Sequence, residues 1–387
     1  MQLNKMKYFD SISETVLKEF MAECKANNSD SGIFVLLPEN EKNATGIVQS
    51  IANSLTIPIV GTIFPALVKD DSFVTSGVWL LCFEKMPNTW LYADIPTDPV
   101  QNAKFVESVA NELNSYLDSI EDEDDITLLL FFDALIPNIS TILDGLYAQM
   151  ADRVNYLGSN PGSETFQPMA CLFNNNQLVN NGLLAMMLLQ HKGGILEHGY
   201  KVPEKIIHAT STEGNCISNI DWKPAFDVYK DFVQTQYNVE ITTENFYTNS
   251  VHFPFGILRA NHSVLVRIPV ALSDGGALFC IGEVPSNSVL TLLEASEANS
   301  SNTVEAIHKS LSAKYSSLQG GNLLLFFCAG RHMHLGNTAA LKELKYFKDF
   351  TKADQVAGAR SLGEIGPSTL EGGYPLFHNA TLVATCL

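Results

Sequence analysis

The stretches LLLFFDALIP (Leu128–Pro137) and LLLFFCAGRH (Leu323–His332) share five apolar residues in the same order, 195 positions apart. Ala134 also matches Ala329, while Asp133 stands against Cys328 and Leu135 against Gly330. A short, continuous apolar run bounded by turn residues reads as a buried strand, in a sheet covered on at least one face. The elements downstream of each run decide the fold. After the first come a helix near Ile139 to Met150, the strand VNYLGS, then PMACLF and GLLAMMLL. After the second come a helix near Thr338 to Phe350, QVAGAR and HNATLVATCL. The chain opens in the same way: a helix near Ser13 to Cys24, the strand SGIFVLLP from Ser31, a helix near Asn43 to Leu55, then IPIVGT and SGVWLLCF. Repeated strand, helix, strand, strand units predict an α/β protein with mixed sheets and an internally duplicated body.

The middle breaks this pattern. From Glu197, EHGYKVPEKIIHATSTEGNC holds a glycine turn and proline punctuation before a strand, and a helix starts near Pro224. VHFPFGIL and HSVLVRIPVALSDGGALFCIGEVPSNSVLTLL predict strands separated by turns, followed by a polar loop over residues 296–302 and a helix near Asn302 to Tyr315. A cut near Tyr200 divides the chain into an N-terminal helical segment (1–30), a first domain (31–200) and a second (201–387). Two domains also suit 387 residues, because single cores stop growing near about 250–300 residues.

Acidic residues (42) exceed Lys plus Arg (24), for a net charge of −18. That balance opposes binding to nucleic-acid phosphate or anionic lipid. The charge run EDEDD (Glu121–Asp125) reads as a solvated loop. The first twenty residues lack the apolar core of a secretory signal, and no segment offers about 18 uncharged apolar residues, so a cytoplasmic protein without membrane insertion is expected. Seven cysteines without CxxC spacing suit reduced, buried thiols.

Familiar catalytic signatures are absent: there is no GxGxxG after a strand, no GxxxxGK[ST], no HExxH and no GxSxG. No catalytic residue and no metal site is assigned. His332 and His334 would share one face if they lay on a strand, but no third ligand accompanies them, and an exposed loop is the simpler expectation. Cys328 beside Arg331 admits a nucleophile, since a guanidinium favours the thiolate, or else a small buried thiol at a strand end. Strand ends followed by glycine turns and helix starts are where open α/β sheets place ligands, which makes Cys328 and Arg331 ligand-contact candidates. Glu364, His378 and Asn379, in LGEIGPS and FHNAT, fit either a buried hydrogen-bond network or a pocket. His198 in GGILEHGY reads as a turn residue, or as an axial haem ligand if it faces an apolar cavity.

EHGYKVPEKI, IDWKPAFDVY, FPFGIL, LLLFFCAGR, LGEIGP and HNATLV, in that order, resemble the FIST family, whose members carry a FIST N and a FIST C domain, and the resemblance runs from about Ser31 to Leu387. The resemblance implies intracellular sensing of a small ligand such as an amino acid. It also implies signalling through a partner, either a sensor histidine kinase or a cyclic-di-GMP enzyme. One branch, the NosP proteins, binds haem and senses nitric oxide, which would make His198 the first candidate ligand. Tyr200 stands where many members have Trp, and Trp222 where Gly is usual. A stand-alone member would need a partner to signal, and homo-oligomers are open to it.

Overall fold

The computed structural model describes residues 3–121, 125–259, 263–294, 301–367 and 373–387. Most of the charge run (122–124), most of the polar loop (296–300) and Ser368 of LGEIGPS lie outside them. The architecture is mixed α/β, with three six-stranded sheets and one eight-stranded sheet.

The three repeats seen in sequence are one topology used three times. In each, a first strand pairs in parallel with the strand after its helix, and an antiparallel strand flanks it on the other side. The trios are Gly32–Pro38 with Ile59–Phe64 and Val78–Phe83; Thr127–Phe132 with Asn155–Ser159 and Leu183–Leu188; and Asn322–Cys328 with Gln355–Ser361 and Leu382–Cys386. Each unit then sends its next strand into a neighbour's sheet. Ala66–Lys69 of the first unit pairs with Gln355–Ser361, Glu364–Gly366 of the third pairs with Asn155–Ser159, and Leu172–Asn174 of the second pairs with Ile59–Phe64. This cyclic exchange locks the three sheets into one body.

The alternation of side chains along a strand explains the apolar runs. Leu129 and Phe131, like Leu324 and Phe326, face a common core shared with Phe34 and Phe64. Leu128, Leu130 and Phe132 face instead the helices Pro99–Leu117 and Ile139–Met150, and Leu323, Leu325 and Phe327 face Asn302–Lys314 and Ala329–Thr351. At the shared core the rings of Phe131, Phe326 and Phe64 lie 5.5–6.5 Å apart, contacts worth about 0.5–1.5 kcal/mol each beyond area burial. The repeat also fixes a glycine. Gly158 sits opposite Leu130 and Gly358 opposite Leu325, where a Cβ would fall 1.9 and 1.7 Å from the neighbour's carbonyl oxygen.

The fourth sheet runs Val264–Arg267, Phe255–Leu258, Val289–Leu292, Ile207–Glu213, Cys216–Ile220, Leu278–Cys280, Pro269–Leu272, and with helix Ala225–Tyr237 it forms a second body with its own core. It is an insertion before the third repeat. A cut near Tyr200 therefore runs through the third sheet, where Ile195–Glu197 pairs with Leu382–Cys386. Residues 1–30 are not only helical, since Leu3–Phe9 forms an edge strand on Val78–Phe83 before the helix Glu14–Asn27. The helix Pro99–Leu117 lies between repeats. Asp98 caps it, accepting a hydrogen bond from the Gln101 N–H at 3.0 Å, and Pro99 occupies the first turn. All seven cysteines are free thiols, and among the described residues no helix is long and apolar enough to cross a membrane.

Candidate functional site

The strand Asn322–Cys328 ends at a cavity of about 290 Å³. One wall comes from the three-sheet body, through Glu164, Phe166, Cys328, Gly330, Met333 and Leu362. The other comes from the inserted body, through Tyr247, Val251, Ile268, Val270 and Ile281. The lining is largely apolar, and the size lies at the lower end of the roughly 300–1,000 Å³ of small-molecule pockets. The cavity is thus beside the second copy of the repeated strand, where the sequence diverges after LLLFF.

Comparing the two copies shows what Cys328 does. In the second unit, Asp133 receives the Asn181 N–H at 2.7 Å, and its own N–H donates to the Gly182 carbonyl at 3.0 Å. In the third, Cys328 Sγ receives the Ala380 N–H at 3.0 Å, and the Cys328 N–H donates to the Thr381 carbonyl at 3.1 Å. Asn181 and Ala380, the donors, both have left-handed φ (44° and 56°). The thiol therefore does the carboxylate's job of pinning the loop before the returning strand. Burial pushes its pKa well up, and the nearby carboxylate of Glu364 adds to this, despite backbone N–H groups that pull it down. Such a buried, neutral thiol is a poor nucleophile.

Arg331 is also fully engaged. Its Nε and Nη2 hold Glu343 at 2.7 and 2.6 Å, Nη2 reaches the Thr303 hydroxyl at 3.0 Å, and Nη1 donates to the carbonyls of His198 (2.6 Å) and Ala380 (3.4 Å). Both side chains of the ion pair are almost completely buried. The guanidinium ties helix Asn302–Lys314, the His198 loop and the returning strand together, and it does not line the cavity.

Glu364 and His378 are cross-strand partners, and Ser159 is the partner of Glu364 on its other side. This row is completely buried. Glu364 accepts hydrogen bonds from the Ser361 and Thr381 hydroxyls. Burial raises its pKa to about 7, with those hydroxyls and the Cys328 thiol pulling the other way. Desolvation drives His378 well below the usual histidine range, and His198, Arg267 and Arg259 add to the effect. Asn379 accepts the Ile268 N–H at 3.4 Å. His198 accepts the Tyr200 N–H on Nδ1 at 3.0 Å, and burial, then Arg331, lowers its pKa to about 4.

Of the expected site residues only Cys328 lines the cavity; Glu364 and His378 are paired in the buried row behind it, Asn379 holds the backbone of the wall residue Ile268, and Arg331 and His198 do not reach it. His332 and His334 lie neither on a strand nor in a loop, because the helix already begins at Ala329. Two residues along a helix turn through about 200°, so the rings part. His332 stacks on Phe73 and meets Arg360 Nη1 at 3.0 Å, while His334 meets His252, Nδ1 to Nδ1, at 2.8 Å. Among the described residues no group of three or more His, Cys, Asp or Glu side chains could hold a metal ion. The walls from the inserted body carry no motif, and Glu343, twelve residues beyond Arg331, gives no sequence sign of its pairing.

Residues 18–223 match the family model of the FIST N domain, and residues 225–367 match that of the FIST C domain. The chain belongs to the FIST family. No curated protein matches it. FIST domains are sensory domains of signal transduction, generally without catalytic activity. In this FIST protein neither His198 nor Cys328 is placed to ligate a haem held in that cavity. His198 is not among the residues that line it, and Cys328, which is, carries a thiol held neutral by burial rather than the thiolate an iron centre takes.

Proposed function

We propose that this FIST protein is a noncatalytic sensor that captures a small, largely apolar molecule between its two bodies and reports it to a signalling partner. One observation carries the proposal: the cavity draws one wall from each body. A ligand touching both walls binds better to the arrangement in which they close on it, and so shifts the population toward that arrangement. The partner classes are a sensor histidine kinase or a cyclic-di-GMP enzyme, and the net charge of −18 suits a basic partner surface. A thermal-shift screen of small metabolites, run beside Val270→Trp, tests the reading. Compounds that stabilise the native protein and not the filled variant support it; compounds that stabilise both equally, or none that stabilise either, overturn it.

A haem-dependent nitric oxide sensor is the second reading. The observation in its favour is that burial keeps His198 neutral, the form that ligates iron. It needs a cavity other than the one at the end of Asn322–Cys328. Reconstitution with haem followed by a visible spectrum checks it: a Soret band that moves with nitric oxide and is lost in His198→Ala supports it, and no band overturns it.

A further inference from the structure

Behind the apolar cavity lies a set of buried polar atoms that no protein group satisfies. Both ring nitrogens of His378, Asn379 Nδ2, Ser159 Oγ and Tyr200 Oη have no hydrogen-bond partner. Buried polar groups are nearly always paired, and an unpaired one costs about 1–3 kcal/mol. So many orphans on neighbouring strands point to a guest.

None of these residues lines the cavity, but some lie directly behind its walls. Asn379 holds the backbone of Ile268, Cys328 holds that of Ala380, and Tyr200 packs in one cluster with Val251, Ile268 and Ala380. Ile268, Cys328 and Val251 are cavity walls. The orphan set is rich in donors: an amide NH₂, two hydroxyls and one imidazole N–H. A buried cation lies close to His378. Arg267 is completely buried, and its acceptors among the described residues are three carbonyl oxygens and the Ser140 hydroxyl, with no carboxylate. Burial raises the pKa of Glu364 to about 7, so part of it is protonated near neutral pH and can stand beside an anion.

We propose that Ser159, Tyr200, His378 and Asn379 form a hydrogen-bonding subsite that takes the carboxylate head of a small amphipathic acid, whose apolar body fills the cavity. This rests on the reading of the cleft as a ligand site. Three probes with one six-carbon chain and different heads test it: hexanoate, 1-hexanol and hexylamine, titrated against the full-length protein by calorimetry. Hexanoate is expected to bind at least about tenfold more tightly than the other two, as one lost charged hydrogen bond implies. His378→Leu and Ser159→Ala remove no protein hydrogen bond, so both variants should fold with unchanged or higher melting temperature. They should also lose the preference for hexanoate while keeping the binding of hexanol. Equal binding of hexanoate and hexanol, or a preference that survives in both variants, overturns the subsite and leaves the cleft reading intact. No binding by any probe, or binding undiminished in Val270→Trp, overturns both.

Discussion

Replacing Glu343 by leucine isolates the function of the buried ion pair. Arg331 and Glu343 have side chains 2% and 6% exposed and meet at 2.6 Å, so solvent cannot take over the lost partner. Arg331 would keep its bonds to Thr303 and to the carbonyls of His198 and Ala380, but its charge would stand uncompensated. Removing one partner of such a pair costs about 3–5 kcal/mol. Replacing both groups with apolar ones of similar size is often neutral, so Arg331→Met with Glu343→Leu should recover most of the loss. Guanidinium unfolding followed by tryptophan fluorescence and by circular dichroism gives both free energies. A single variant that costs under about 1 kcal/mol, or a double variant no better than the single, would refute the assignment of Arg331 as a buried strut.

Gly358→Ala places a Cβ 1.7 Å from the Leu325 carbonyl oxygen, and should cost more than about 4 kcal/mol or abolish folding; Gly46→Ala, with nothing within 4 Å, should be neutral or stabilising by up to about 1 kcal/mol. Similar melting temperatures for the two would contradict the repeat geometry. Cys328, 3% exposed with a thiol pushed up by burial, should resist iodoacetamide in the native protein at pH 8 and react once unfolded, as read by mass spectrometry of its peptide. His191 donates from Nε2 to the Cys386 carbonyl and accepts the Gly193 N–H on Nδ1, and burial lowers its pKa to about 4. The unfolded chain takes up this proton near pH 6.5 and the folded one only near 4, so the stability from His191 is complete above pH 6.5 and lost as pH falls through 4. The total is on the order of 3 kcal/mol. His191→Gln should flatten the fall in denaturation midpoint over that window, and an unchanged slope counts against it.

The three-sheet plan was legible because its signal is local. LLLFF, a helix, VNYLGS and GLLAMMLL each announce themselves by composition, and the third copy reuses the pattern. The exchange of Ala66–Lys69, Leu172–Asn174 and Glu364–Gly366 between sheets was not legible, since edge strands this short carry no trace of their distant partner. The same holds for the site. The turn after LLLFFC located the cavity, while LGEIGP gave it only Leu362 and the polar residues of FHNAT lie behind its walls. Ile268, Val251 and Tyr247 read as ordinary core because apolar cavity walls and apolar cores share one composition. The pair His332 and His334 shows the limit of spacing arguments: its geometry depends on whether the helix starts before or after Gly330, and the thiol of Cys328 at the helix start, with Gly330 packed against Ile268, settles that only in three dimensions.

Hydrogen exchange with and without a stabilising compound tests the central claim most directly. A ligand held between the bodies should slow exchange together in the segments around Tyr247 to Val251 and around Cys328 to Met333, one from each wall. Protection confined to one body, or spread evenly over the chain, would contradict a sensor that works by closing the cleft.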